Sequence, residues 1–152
     1  MWRNAGWELR TAGHTDNFDT NVPISGALTT TSTPARALEM AVAKGDLLAS
    51  TETLRELIEK LLSPKFDAYV SREQREALLL RLAPLVEIVT ILQTFHASRD
   101  PKDDKFLAVA VNGRADVIVP GDGDLLALHP FNGIAIVAPA EYVGREAQSL
   151  NR

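Results

Sequence analysis

The sequence predicts an α/β domain, an open and mostly parallel sheet covered by helices on both faces. Three observations carry that prediction. Short apolar runs alternate with longer segments of helical period. Most successive runs are separated by more residues than a hairpin needs, as parallel strands require. Hydroxyl side chains before the helical segments and Gly after them mark starts and stops. With 152 residues, 45% hydrophobic and 24% charged, the chain has the size and composition of one domain that can bury a core.

Residues 1–13 hold Trp2, Arg3, Trp7 and Arg10 but no period, and are set apart as an arm of unassigned role. The domain proper is expected over 14–152. Residues 13–18 should form a strand ending at Asp19, although Gly-His-Thr-Asp-Asn-Phe is polar where buried parallel strands are rich in Val, Ile and Leu. A turn and short helix follow over 21–33. Thr33 as cap and Pro34 at the first position start a helix over 34–44, and Gly45 stops it. Residues 46–49 read as a short strand. Ser50 caps a helix over 51–63 whose Leu54, Leu57, Ile58, Leu61 and Leu62 form an apolar stripe.

Residues 64–69 read as a turn or short helix, and Ser71 caps a helix over 72–83. The apolar stretch 85–92 is expected to be a strand. Asp100-Pro101 opens a helix to Asn112 that Gly113 ends. Residues 117–119 read as a buried strand, 124–128 as a short helix and 134–137 as a last strand. Pro139 begins a final helix through Glu146.

Composition excludes several chemistries. Without Cys there are no disulfides, thiolates or Cys-based zinc sites, which fits a reducing cytoplasm. No apolar run approaches the roughly 18 residues of a membrane span, and residues 1–13 lack a secretory h-region. A cytoplasmic protein with no membrane partner is expected. The net charge of −4 argues against broad electrostatic binding of nucleic acid. It leaves a nuclease open, because carboxylates gathered around a cation count as negative. There is no P-loop, G-x-G-x-x-G or G-x-S-x-G pattern, and His14, His96 and His129 have no ligand spacing.

The acidic positions carry what remains. Asp19, with Thr20 and Asn21, stands where the first strand should end, and ligands of α/β sheets gather at carboxyl ends of strands. In Asp100-Pro101-Lys102-Asp103-Asp104 the first acid reads as a cap and Asp103 as a helix-dipole acid. Asp104 exceeds what capping requires, with Asp103 as a candidate supporting residue. Gly121-Asp122-Gly123-Asp124 is either a turn with a capping Asp or a carboxylate pair at a strand end. Glu56 lies opposite the apolar stripe, among Glu52, Arg55 and Glu59, where solvent is the ordinary reading. Arg99, Lys102, Lys105 and Arg114 flank the acidic region as candidate phosphate contacts.

These pieces together resemble the PIN-domain nucleases, nearest to the VapC-like toxin components of toxin–antitoxin systems. The carrying residues are Asp19-Thr20-Asn21-Val22, Leu54-Arg55-Glu56-Leu57, Ser63-Pro64-Lys65-Phe66, Asp100 to Ala108, Gly121 to Leu126 and Pro139-Ala140-Glu141-Tyr142. The resemblance implies a single Rossmann-like domain and a metal-dependent endoribonuclease. Its catalytic acids would be Asp19, Glu56, Asp104 and Asp122. Mg²⁺ or Mn²⁺ would be held by Asp19, Asp104 and Asp122 with Asp124, and Thr20, Asn21 and Asp103 would be auxiliary. RNA as substrate, a cognate antitoxin and a homodimer are the implied partners. The chain departs from the pattern in its polar first strand, in Pro23 where an aliphatic residue is usual, and in Pro120 where a hydroxyl commonly precedes Gly-Asp. The competing expectation is a PIN-fold module with a degenerate site that binds RNA or protein.

Overall fold

The computed structural model describes residues 16–18, 21–28, 31–45, 47–121 and 123–150. The arm 1–13, His14, Asp19, Thr20 and Asp122 lie outside the described residues. Five parallel strands form one sheet: β1 (Asp16–Phe18), β2 (Leu47–Ala49), β3 (Val86–Ile88), β4 (Val117–Val119) and β5 (Ala135–Ile136), in the order β3-β2-β1-β4-β5. The helices are α1 (Asn21–Leu28), α2 (Thr33–Lys44), α3 (Thr51–Leu61), α4 (Arg72–Leu82), α5 (Asp104–Gly113), α6 (Gly123–Leu126) and α7 (Pro139–Leu150). The predicted fold class is therefore observed.

The two-residue period of the strands divides the core in two. Leu47, Val117, Val119 and Val137 join one cluster with Ala37, Leu38, Leu57, Leu61 and Tyr142. Leu48, Ile118 and Ile136 join the other with Phe106, Leu107, Val109 and Leu125. α2 and α7 thus cover one face, and α5 covers the other.

The polar strand does form, and at the centre of the sheet. Asp16 and Asn17 are each 1% exposed. Asp16 faces the α2–α7 side, where its Oδ2 accepts from Tyr142 Oη at 2.6 Å and from Lys44 Nζ at 3.0 Å. Asn17 faces the other side and donates from Nδ2 to the Phe106 carbonyl at 2.8 Å. Phe18 turns back and meets the Tyr142 ring edge-on at 5.5 Å. These hydrogen bonds offset much of the cost of burying the polar groups, although Asp16 Oδ1 takes none among the described residues. Burial first, then the Asp16 carboxylate, pushes the Tyr142 phenol well above its usual range, so it stays a donor.

Several boundaries differ from the sequence reading for local reasons. Ser32, not Thr33, caps α2, accepting from Ala35 N at 3.2 Å, with Pro34 inside the first turn; Gly45 ends the helix at φ 89° as expected. Ser50 caps α3 through a reciprocal pair with Thr53, and Ser71 caps α4. In the α3 stripe only Leu57 and Leu61 are buried, while Ile58 is exposed. The stretch 85–92 yields only a three-residue strand, because its one neighbour β2 is itself three residues long. Leu92 is then exposed, beyond any ladder.

Gly113 does not end α5 as a left-handed residue. Arg114 takes that conformation at φ 55°. Gly113 instead permits close packing, since a Cβ there would stand 2.7 Å from Val89 Cγ2 and 2.9 Å from Leu48 Cδ1. The last helix outruns its expected end at Glu146 and reaches Leu150.

Two predictions follow from this packing. Lys44→Met strands the buried Asp16 charge and should cost about 3–5 kcal/mol, whereas Tyr142→Phe removes one hydrogen bond to a charged group, about 1.5–3 kcal/mol. Urea midpoints in the reverse order would refute that account of the sheet centre. Gly113→Ala should cost about 1–3 kcal/mol through overpacking, read in the same denaturation experiment.

Candidate functional site

The order β3-β2-β1-β4-β5 places a topological switch between β1 and β4, whose outgoing connections run to opposite sides. Ligands of open α/β sheets bind outside the carboxyl ends of strands at such a point. Phe18 and Val119 are register partners at that edge. Asp19 follows the first in the chain, and Pro120-Gly121-Asp122-Gly123-Asp124 follows the second. Of these, Pro120 is buried, Gly121 is exposed and Asp124 is half-buried in the first turn of α6. Asn21 is the first residue of α1.

α5 runs from this edge with Asp103 and Asp104 at its start, both nearly buried. Asp100 caps the preceding 3₁₀ turn, Pro101–Asp103, accepting from Lys102 N at 3.0 Å, as its structural reading required. Asp104 has a task that no spacing signals. Its Oδ1 accepts from Ala97 N at 3.1 Å and Ser98 N at 2.7 Å, fixing the chain that enters the helix. Its second oxygen takes no hydrogen bond among the described residues, and the residue lines a cleft of about 260 Å³. Ser50, Glu52, Ile91, Thr94, Phe95, His96 and Lys105 line the same cleft.

Glu56 corrects the ordinary reading of an exposed helix face. Its side chain is only 16% exposed, and its carboxylate lies 2.6 Å from Lys60 Nζ, one turn on, and 2.5 Å from Lys105 Nζ on α5. Burial opposes ionisation, but the hydrogen bonds and charges of Lys105 and Lys60 outweigh it and hold the carboxyl below the usual glutamate value. Lys105 therefore joins α3 to α5 beside Asp104. Arg114, expected to flank the acids, stands at the opposite end of α5, roughly 15 Å along a ten-residue helix. Arg99 and Lys102 are exposed near the cleft's end of that helix. His129 is structural, its Nδ1 accepting from Ile136 N at 2.9 Å.

The donor set suits a hard divalent cation, which takes oxygen ligands and keeps several waters. Asp104 offers an uncommitted carboxylate oxygen, and Glu56 is held ionised. Among the described residues no three His, Asp or Glu side chains come together to hold a metal ion. The described members of the expected set are thus Glu56 and Asp104, brought onto facing helices at one edge, with Asp124 on α6.

The lowered Glu56 value sets a pH dependence. A carboxyl depressed on folding contributes stability above its unfolded value, about 4.3, and loses that contribution as pH falls below it. Glu56→Gln should therefore destabilise the protein near neutrality and converge on wild type in acid. Urea unfolding of both proteins across pH 3–7 checks this, and a gap that widens in acid would contradict it.

A sequence profile of the PIN domain matches residues 18–124. An uncharacterized protein of Methanocaldococcus jannaschii is 33% identical over 117 residues, spanning 76% of this chain and 75% of that protein. No solved structure gives a significant match. Among the described residues no helix is long and apolar enough to cross a membrane. The match covers most of the chain and coincides with an all-parallel sheet bearing acids at its carboxyl edge, so this chain belongs to the PIN-domain family, a family of nuclease-type domains.

Proposed function

We propose that the protein is a metal-dependent endoribonuclease and the toxin of a toxin–antitoxin pair, its catalytic domain spanning 14–152 with the arm 1–13 outside it. The carrying observation is Asp104, one oxygen pinned by two loop amides and the other uncommitted, at the switch-point edge of a PIN-family sheet. Asp19, Asp104 and Asp122, with Asp124, would hold Mg²⁺ or Mn²⁺, and Glu56 completes the catalytic acids. When bound, the metal supplies positive charge that activates water and offsets charge building on the phosphate.

The remaining roles belong to the chain. The two amides on Oδ1 orient the Asp104 carboxylate and restrict how it turns. Lys105 neutralises Glu56 and offers a cation beside the cleft, suited to a phosphate oxygen. Thr20, Asn21 and Asp103 would support the acids. A cytoplasmic setting, a cognate antitoxin and a homodimer belong to the same reading.

Two observations favour a second reading, a degenerate module that binds RNA or protein. Glu56 is already satisfied by two lysines, and a buried Pro120 stands where the family pattern has a hydroxyl. A cleavage assay on labelled RNA with Mn²⁺, Mg²⁺ or EDTA separates the two. Cleavage that needs metal and falls at least 100-fold in Asp19→Asn and Asp104→Asn is expected, on the scale of losing one group that acts on transition-state charge. Retained cleavage in both variants, or none by folded wild type with any metal, would overturn the nuclease reading.

A further inference from the structure

The segment between β3 and the 3₁₀ turn at Pro101 has no regular structure over residues 89–97, yet side chains of α5 hold it at two points. Asn112 Oδ1 accepts from Leu92 N at 3.0 Å and Gln93 N at 3.1 Å, and its Nδ2 donates to Gln93 O at 2.8 Å. Asp104 accepts from Ala97 N and Ser98 N. Only Thr94, Phe95 and His96 lie between the anchors, and all three line the cleft that holds Asp104 and Lys105. The Phe95 ring is itself fixed, meeting Phe131 edge-on at 5.2 Å and 84°. His96 is exposed.

Two features of the cleft point to its occupant. At about 260 Å³ it is smaller than the roughly 300–1,000 Å³ of pockets for drug-sized ligands, a size that suits a single flat group. Its wall combines aromatic surface with acceptors, the Thr94 hydroxyl and the Glu52 carboxylate, and a cation at Lys105. Unpaired bases of single-stranded RNA are held by stacking on aromatic side chains and by hydrogen bonds to their edges, with cations on the backbone. Resting on the nuclease reading above, we infer that Thr94, Phe95 and His96 form a nucleobase subsite beside the acids, with His96 as the stacking and base-discriminating residue. The double anchoring presents these residues without an ordering cost on binding.

Fluorescein-labelled five-nucleotide strands of A, C or U carry equal phosphate charge, so affinity ratios among them isolate the base contribution. Anisotropy titrations at low salt in EDTA compare wild type with His96→Ala and with Asn112→Ala, which frees the loop without removing a base contact. Because His96 is exposed, its truncation should leave the thermal melt unchanged. His96→Ala is expected to weaken the tightest strand roughly 5- to 100-fold, the range of one lost stacking contact, and Asn112→Ala to weaken it less. A His96→Ala protein with wild-type affinity for every strand, or a wild type that binds none of them, overturns the inference. Mn²⁺-dependent cleavage by wild type is read separately. Cleavage with unchanged His96→Ala binding sinks the subsite alone, and base-sensitive binding without cleavage sinks the nuclease alone.

Discussion

The structure depends on a charge placed at its centre. Asp16 lies in the middle strand of five, nearly without access to water, and Lys44 and Tyr142 meet one of its oxygens. Those partners come from α2 and α7, so a single carboxylate fastens the last helix to the first strand across 126 residues of chain. Lys44 ends α2, where its cation also suits the helix dipole, and it reaches Glu146 at 3.2 Å as well. An apolar residue at position 16 could fill the same space at no desolvation cost, and replacing buried ion pairs is often neutral or stabilising. What an apolar residue would lack is direction. Hydrogen bonds to Asp16 from one side and from Asn17 to the other fix which way β1 faces, and a one-residue slip would invert both. The carboxyl edge of β1 inherits that register.

Side chains satisfy backbone in two further connections. Arg75 is fully buried and donates to the carbonyls of Leu61 and Ser63 at 2.9 and 3.0 Å and to that of Val70 at 3.2 Å, while pairing with Asp67. It thereby satisfies the end of α3 and shapes the connection to α4. Asn112 and Asp104 do the equivalent for residues 92–98. Strands of two or three residues supply few ladder bonds, so side chains supply the partners that buried backbone requires.

Much of the fold was legible because capping and core chemistry are local. Ser50, Ser71, Gly45 and the run Val117–Val119 announce their roles within a few residues. What could not be read depends on contacts distant in sequence. The polarity of residues 16 and 17 counted against a strand, and only Lys44, Tyr142 and Phe106 make them compatible with one. Glu56 read as solvated because helical period places it opposite the stripe, but α5 brings Lys105 against that face. Residues 89–92 look like strand, yet strand length is set by the neighbour, and β2 ends at Ala49. At the candidate site, Asp104 stood out in the sequence as an acid beyond capping needs. Its grip on residues 97 and 98 was not, because a backbone amide leaves no mark on the sequence.

A cluster of carboxylates at one sheet edge would repel itself and resist folding without a cation. Here Glu56 on α3 and Asp104 on α5 are each given a separate partner. Glu56 has two lysines, and Asp104 has two backbone amides. The two solutions differ in what they leave available. Amides bind one oxygen and orient the other, so Asp104 is stabilised without being neutralised. Lysines neutralise, so Glu56 must trade a cation before it can serve another. Lys105 is the partner placed for that exchange, because its backbone adjoins Asp104 and its side chain lines the cleft. On the nuclease reading proposed above, a phosphate entering there would compete with Glu56 for the Lys105 ammonium, while Lys60 would still hold the carboxylate.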